Sequence, residues 1–234
     1  MQQAVKILTK EFKGYFLSPT AYILISIFLL VTGWFFFATF FLLNQASLRN
    51  FFDLLPFIFS FVIPAITMKL FSEELKSGSY EVLLTLPITL MDVILGKFLA
   101  GVVFVAAMLL PTLAYPISVS FLGNLDWGPV LGGYIGAILL GSAFSAIGLW
   151  ASSLTRNQIT AFIIAMVICF ALTLIDKMLF FLPQSMLGVL QYIGAGFHFE
   201  NISKGILDSR DILYFLSVVF IALYGVHLVL QEKK

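Results

Sequence analysis

The sequence predicts an all-α membrane protein. It has six transmembrane helices, an N-terminal interfacial helix, a short cytoplasmic helix between the second and third spans, and short external re-entrant helices before the sixth. Two observations carry this. First, no Asp, Glu, Lys or Arg occurs between Lys13 and Arg49, Asp53 and Lys69, Lys97 and Asp126, Asp126 and Arg156, Arg156 and Asp176, or Asp211 and Glu232. A helix needs about 20 apolar residues to cross the hydrocarbon core, so each gap marks one, the short gap after Asp53 being extended by its flanking residues. Second, 61% of the chain is hydrophobic and 11% charged, the composition of a membrane protein. No polar stretch is long enough for a soluble domain, so residues 1–234 read as a single transmembrane domain. A net charge of +1 leaves no electrostatic footprint for nucleic acid.

Residues 3–16 have helical spacing that sets Val5, Leu8, Phe12, Tyr15 and Phe16 toward lipid and the lysines toward phosphate; a plain lead-in to the first span is the alternative. Ser18-Pro19 supplies an N-cap and a proline at the first helical position. The first span covers about 20–43 and is crowded with Trp34, Phe35, Phe36, Phe37, Phe40 and Phe41. The second, about 52–71, holds Pro56 and Pro64, which kink or end a helix unless neighbours satisfy the freed carbonyls. The third, about 93–121, is broken by Pro111 and Pro116. The fourth, about 130–153, repeats small residues at Gly133, Ala137, Gly141 and Ser145, a packed face inside the bundle. Thr155-Arg156-Asn157-Gln158 fits a capping box with Thr155 as cap before the fifth span. Residues 183–210 form the longest connector, in which Met186, Leu187, Val189, Leu190, Tyr192 and Ile193 suggest short helices that dip into the membrane. The sixth span covers about 212–230.

An even number of spans puts both ends on one side. Lys6, Lys10, Lys13, Lys69, Lys76, Lys97, Arg156, Lys233 and Lys234 fall there; Arg49, Lys177, Lys204 and Arg210 fall on the other. The positive-inside rule makes the first side cytoplasmic. Both termini and the 72–92 connector are then cytoplasmic, and 183–210 is external.

The chemistry of soluble enzymes is missing. Cys169 is the single cysteine and reads as a small buried hydrophobe. His198 and His227 fall on opposite sides, too far apart to share a metal, and each reads as a polar anchor. Gly96-Lys97 lacks the remaining residues of a P-loop. The spans hold no embedded acids or histidines of the kind that line ion pathways; only Lys69 approaches the membrane, near its edge. A transporter of this composition needs energy from another subunit, gripped on the cytoplasmic face. The 72–92 connector is the surface for that. Gly78 opens a short helix, Glu81 reaches back to its backbone N–H, and Tyr80, Leu83 and Leu84 line one apolar face. Such a face docks a partner or rests on lipid headgroups.

The stretch Phe71-Ser72-Glu73-Glu74, followed by KSGSYEVLLTLPIT and then Asp92-Val93-Ile94-Leu95-Gly96-Lys97, resembles the signature of ABC-2 type permeases. FHFENISKGILDSRDILYFL, residues 197–216, resembles the family's element before the last span. KEFKGYFLSPTAY and SSLTRNQITAF fit the permease subunit associated with gliding motility. The resemblance implies a bacterial inner-membrane permease that exports its cargo and is itself no enzyme. Gly78, Tyr80, Glu81, Leu83 and Leu84 form its coupling helix, seated in a cleft of a dimeric ATPase that binds ATP and Mg²⁺; no cofactor belongs to this chain. It further implies a second permease copy, or a related membrane subunit with an external domain. Spans one and five would line the path between permeases, where Ser26, Thr32, Thr39, Thr160 and Thr173 are the available polar groups. None is charged, which suits an amphipathic or lipid-linked cargo; the alternative is that each hydroxyl bonds its own helix backbone. An alternative function is an ATP-driven mechanical device acting on an external partner without moving cargo.

Overall fold

Six helices are long and apolar enough to cross a membrane. The computed structural model describes residues 2–43, 45, 47–84, 87–178 and 191–233, and every element described is helical. Helix α1 (Gln2–Leu17) precedes the first span, α2 (Pro19–Leu43), which Pro19 opens as expected. The second span consists of α3 (Arg49–Thr67) and α4 (Lys69–Ser77). Neither Pro56 nor Pro64 ends it; both are buried within α3, and the break falls at Met68, whose N–H still reaches the Pro64 carbonyl at 2.9 Å. A short helix, α5 (Ser79–Leu84), follows.

The third span is α6 (Leu90–Leu109), a 3₁₀ turn at Leu110–Leu113 and α7 (Ala114–Leu122). Pro111 sits in that turn, where the sequence placed a break. The fourth is α8 (Trp127–Leu154), capped by Asp126 Oδ1 accepting from the Gly128 N–H at 3.0 Å. The fifth is α9 (Gln158–Met178). Its cap is Asn157, whose Oδ1 accepts from Ile159 N–H at 3.0 Å, and not Thr155, which ends α8. A nine-residue helix, α10 (Ala195–Ser203), precedes the last span, α11 (Ser209–Glu232), capped by Asp208. Met186, Leu187, Val189 and Leu190, the apolar part of the expected re-entrant segment, lie outside the described residues.

Helix α8 is the hub, packing against α3, α4, α6, α9, α10 and α11. Its small residues make this possible. A side chain on Gly133 would run into the Phe52 ring, on Gly136 into Phe199 and Ile202, and on Gly141 into Val105. The small-residue face is therefore spent inside one chain, as its spacing implied. At Gly148 a Cβ would collide with the Thr67 side chain. Gly148→Val is expected to push α3 off α8 and destabilise the protein by about 1–3 kcal/mol. Thermal unfolding in detergent measures this, and an unchanged midpoint would contradict the packing.

Helix α2, by contrast, leaves Leu30, Trp34, Phe35, Phe37 and Phe41 exposed. Phe36 turns inward, stacked 5.1 Å from Tyr115. Lipid contact is not the fate of Tyr15 either: it is buried, and its ring packs 5.0 Å from Phe104 of α6 with Phe16 beside it.

Both chain ends lie at one end of the bundle. Ala4 and Ile7 of α1 pack on Gly96, near the start of α6, and Lys233 donates to the Ser153 carbonyl at 2.6 Å, at the end of α8. Its burial there, together with the nearby Arg156 charge, lowers the Lys233 pKa. At the opposite end His198 is a staple and more than a polar anchor. Its Nδ1 lies 2.6 Å from Asp211 Oδ1 and its Nε2 3.0 Å from the Tyr192 carbonyl, with the ring stacked 4.0 Å from Tyr214. It ties α10 to α11. Nearby, the hydrogen bond from Lys204 lowers the Glu200 pKa, with Lys177 and Arg49 adding to the effect.

Candidate functional site

The end that carries both termini holds the polar machinery. Gly78 is the pivot, with φ of +75°, a left-handed conformation that glycine adopts without penalty. It closes α4, and its carbonyl accepts from Glu81 N–H at 3.2 Å to begin α5. A short helix does begin after Gly78, as expected, but the residue also closes the preceding helix, and the bond to Glu81 that is seen is between backbone groups. Ser79 and Glu81 are exposed on α5.

Tyr80 is the correction. The sequence set it on an outward apolar face. It is only 3% exposed, and its hydroxyl donates to the Leu230 carbonyl at 3.2 Å. Leu230 lies in the last turn of α11, where carbonyls have no partner within the helix. Tyr80 thus anchors α5 to the end of the last span. Burial, then the Glu74 charge, raises its pKa, so the donor stays protonated. Leu83 and Leu84 belong to α5, but their side chains lie outside the described residues.

Beside this hairpin sits an ion cluster that the sequence concealed. Lys97 of α6 is 1% exposed. Its ammonium donates to Glu11 Oε1 at 3.0 Å, Glu74 Oε1 at 2.7 Å and the Leu70 carbonyl at 2.7 Å, and lies 5.1 Å from the Phe71 ring centre. All three donors of the ammonium are used. One side chain therefore joins α1, α4 and α6. Gly96 permits this: a Cβ there would come within 2.8 Å of the Ala4 carbonyl and Ile7, so any larger residue would hold α1 away. Lys69, expected to be the embedded lysine, instead lies 4.9 Å from the Tyr15 ring centre. Burial, then the Glu11 charge, raises the Tyr15 pKa and keeps the phenol neutral. These groups border a cleft of about 440 Å³ that also reaches Ser77 and Ser79.

The five hydroxyls proposed for a path do not form one group. Thr32 is buried, and its Oγ1 donates to the Phe28 carbonyl at 2.7 Å. Thr173 is buried against α3, where its Oγ1 lies 3.0 Å from Ser60 Oγ and donates to the Cys169 carbonyl at 2.9 Å. Thr173 ties α9 to α3, Thr32 bonds its own helix, and burial takes both off the candidate surface. Thr39 is half-buried and bonds the Phe35 carbonyl of its own helix at 2.7 Å; Ser26 and Thr160 are exposed.

Six apolar spans, with a short helix between the second and third, fit a multi-pass membrane protein. A family model described as ABC-2 family transporter protein matches residues 5–233. The chain belongs to that family and is a permease component of an ABC transporter, which implies an ABC ATPase as partner. No curated protein sequence matches the chain.

Proposed function

We propose that this chain is the permease subunit of an ATP-driven exporter in the bacterial cytoplasmic membrane. A dimeric ATPase binds ATP and Mg²⁺ and docks on α5, and two permeases, or this chain and a related membrane subunit, enclose the path. The observation that carries this reading is the double attachment of the α4–α5 hairpin. Tyr80 ties it to the last span, and Glu74, through Lys97, ties it to α6 and α1. A displacement of α5 by the ATPase is thereby delivered to three membrane-associated elements at once. The docking surface is the exposed side of α5, with Ser79 and Glu81, in place of the face that bears Tyr80.

Helices α2 and α9 are among the least buried spans and both flank α3. Their exposed apolar surface, with Ser26, Thr39 and Thr160, supports a path lined by spans one and five and a cargo with a large apolar part. The likeness of the N-terminal segment to gliding-associated permeases supports a partner subunit with an external domain.

Two cysteine variants in a Cys169→Ser background test the reading. Ser79→Cys should cross-link to the ATPase in the assembled complex and react with an impermeant thiol reagent only after lysis. Ile206→Cys, 61% exposed at the opposite end, should react in intact cells. The reverse labelling would invert the orientation. A complex that retains its ATPase while Ser79→Cys never cross-links would remove α5 as the docking site.

A further inference from the structure

The cleft between α1, α4 and α5 has an unfilled requirement for a donor. Three carboxylates (Glu11, Glu73, Glu74) and three lysines (Lys10, Lys69, Lys97) line it. The charges are not matched in depth. Lys97, the buried cation, is shared by Glu11 and Glu74, so the ion cluster at the floor keeps one net negative charge. Lys69 is held against the Tyr15 ring, and Lys10, though it lines the cleft, is exposed. Two buried oxygens are left without a partner, Glu74 Oε2 and the hydroxyl of Tyr15, a residue only 3% exposed. A buried polar group left unpaired costs about 1–3 kcal/mol. An ionised carboxylate only accepts. An anion finds no free donor at the floor, because every Lys97 proton is already committed. A divalent cation would face the Lys97 ammonium at close range.

We infer that this cleft receives a basic side chain, Arg or Lys, of the ATPase subunit, which donates to Glu74 Oε2 and the Tyr15 hydroxyl. The inference rests on the docking of the ATPase at α5, because the cleft is continuous with Ser77 and Ser79 at the start of that helix. The inserted cation completes the charge of the Glu11–Lys97–Glu74 cluster. It also links the ATPase directly to α1, so the interfacial helix becomes a second point of attachment beside α5. Glu73, exposed on the rim, meets the incoming charge first.

The test is the affinity of the permease for its ATPase, measured in nanodiscs of phosphatidylcholine, whose quaternary headgroup has no N–H to donate. Tyr15→Phe removes a hydroxyl that bonds nothing in the permease. It should raise the thermal midpoint of the isolated permease or leave it where it is, and weaken ATPase binding about threefold to tenfold. Glu74→Gln should weaken binding by at least about tenfold and flatten its dependence on salt. If Ser79→Cys still cross-links and both variants bind like the wild type, docking at α5 stands and the cleft is not an attachment point. If Ser79→Cys never cross-links, the docking reading fails and this inference fails with it. If the isolated permease retains phosphatidylethanolamine, and Tyr15→Phe and Glu74→Gln both lose it with ATPase affinity unchanged, the cleft holds a lipid amine and the inference is overturned.

Discussion

Replacing Lys97 with methionine is expected to cost about 3–5 kcal/mol, the usual result of removing one partner from a buried ion cluster. Methionine fills most of the space of the lysine stem, so the loss is electrostatic. Glu11 and Glu74, each less than one-fifth exposed, would be left facing each other without a counter-charge, and the Leu70 carbonyl would lose its donor. Helix α1 loses the Glu11 tie that holds its middle to α6, so it should loosen first. Thermal unfolding in detergent measures the loss, and earlier proteolytic cleavage within α1 locates it. Adding Glu11→Gln and Glu74→Gln should recover most of the stability, because the buried charge is then gone. A Lys97→Met protein with unchanged midpoint and protected α1 would refute the clamp.

Tyr80→Ala is expected to uncouple the permease. A six-residue helix is far too short to be stable alone. Among the described side chains of α5, it is Tyr80 that holds the helix against the bundle, through its buried ring and its bond to the Leu230 carbonyl. Loss of both should cost about 2–4 kcal/mol locally. Hydrolysis by the bound ATPase would then move α5 without moving the last span. The expected outcome is ATPase activity within about twofold of the wild type, with export reduced at least tenfold. Tyr80→Phe, which keeps the ring, should lose only about 1 kcal/mol and retain most of the coupling. If Tyr80→Ala exports normally, force reaches the membrane by another route.

The two variants also bear on what was legible in the sequence. The six spans were readable because a bilayer imposes a rule on every residue of a crossing helix, and a charge-free gap is its direct record. Ser18-Pro19, Pro111 and the small residues of α8 were readable for a related reason: each acts through its own backbone geometry or size. The positions that failed depend on distant neighbours. Thr155 is a local exception: it is the C-cap of α8, and Asn157, two residues on, caps α9. Thr32 and Thr173 looked like wall residues and proved to be buried bonds between or within helices. Tyr80 shares an apolar pattern with Leu83 and Leu84, but its hydroxyl found an orphan carbonyl 150 positions away.

Lys97 shows the division most plainly. From the sequence it is one of several positive charges near a membrane boundary, following a glycine that belongs to no nucleotide loop. Its partners stand 86 and 23 positions away, on α1 and α4. The sequence by itself determined the number of crossings, the side on which the charges gather, the place of the short helix after the second span and the family. Those follow from transfer of side chains into lipid and from local backbone constraints. Only the tertiary structure decided that Gly96 lets α1 close on α6, that Lys97 is buried between two carboxylates, and that α5 is fastened to the end of the chain. Such contacts depend on which surfaces meet after packing, and a buried charge is tolerated only where the fold brings its counter-charges to it.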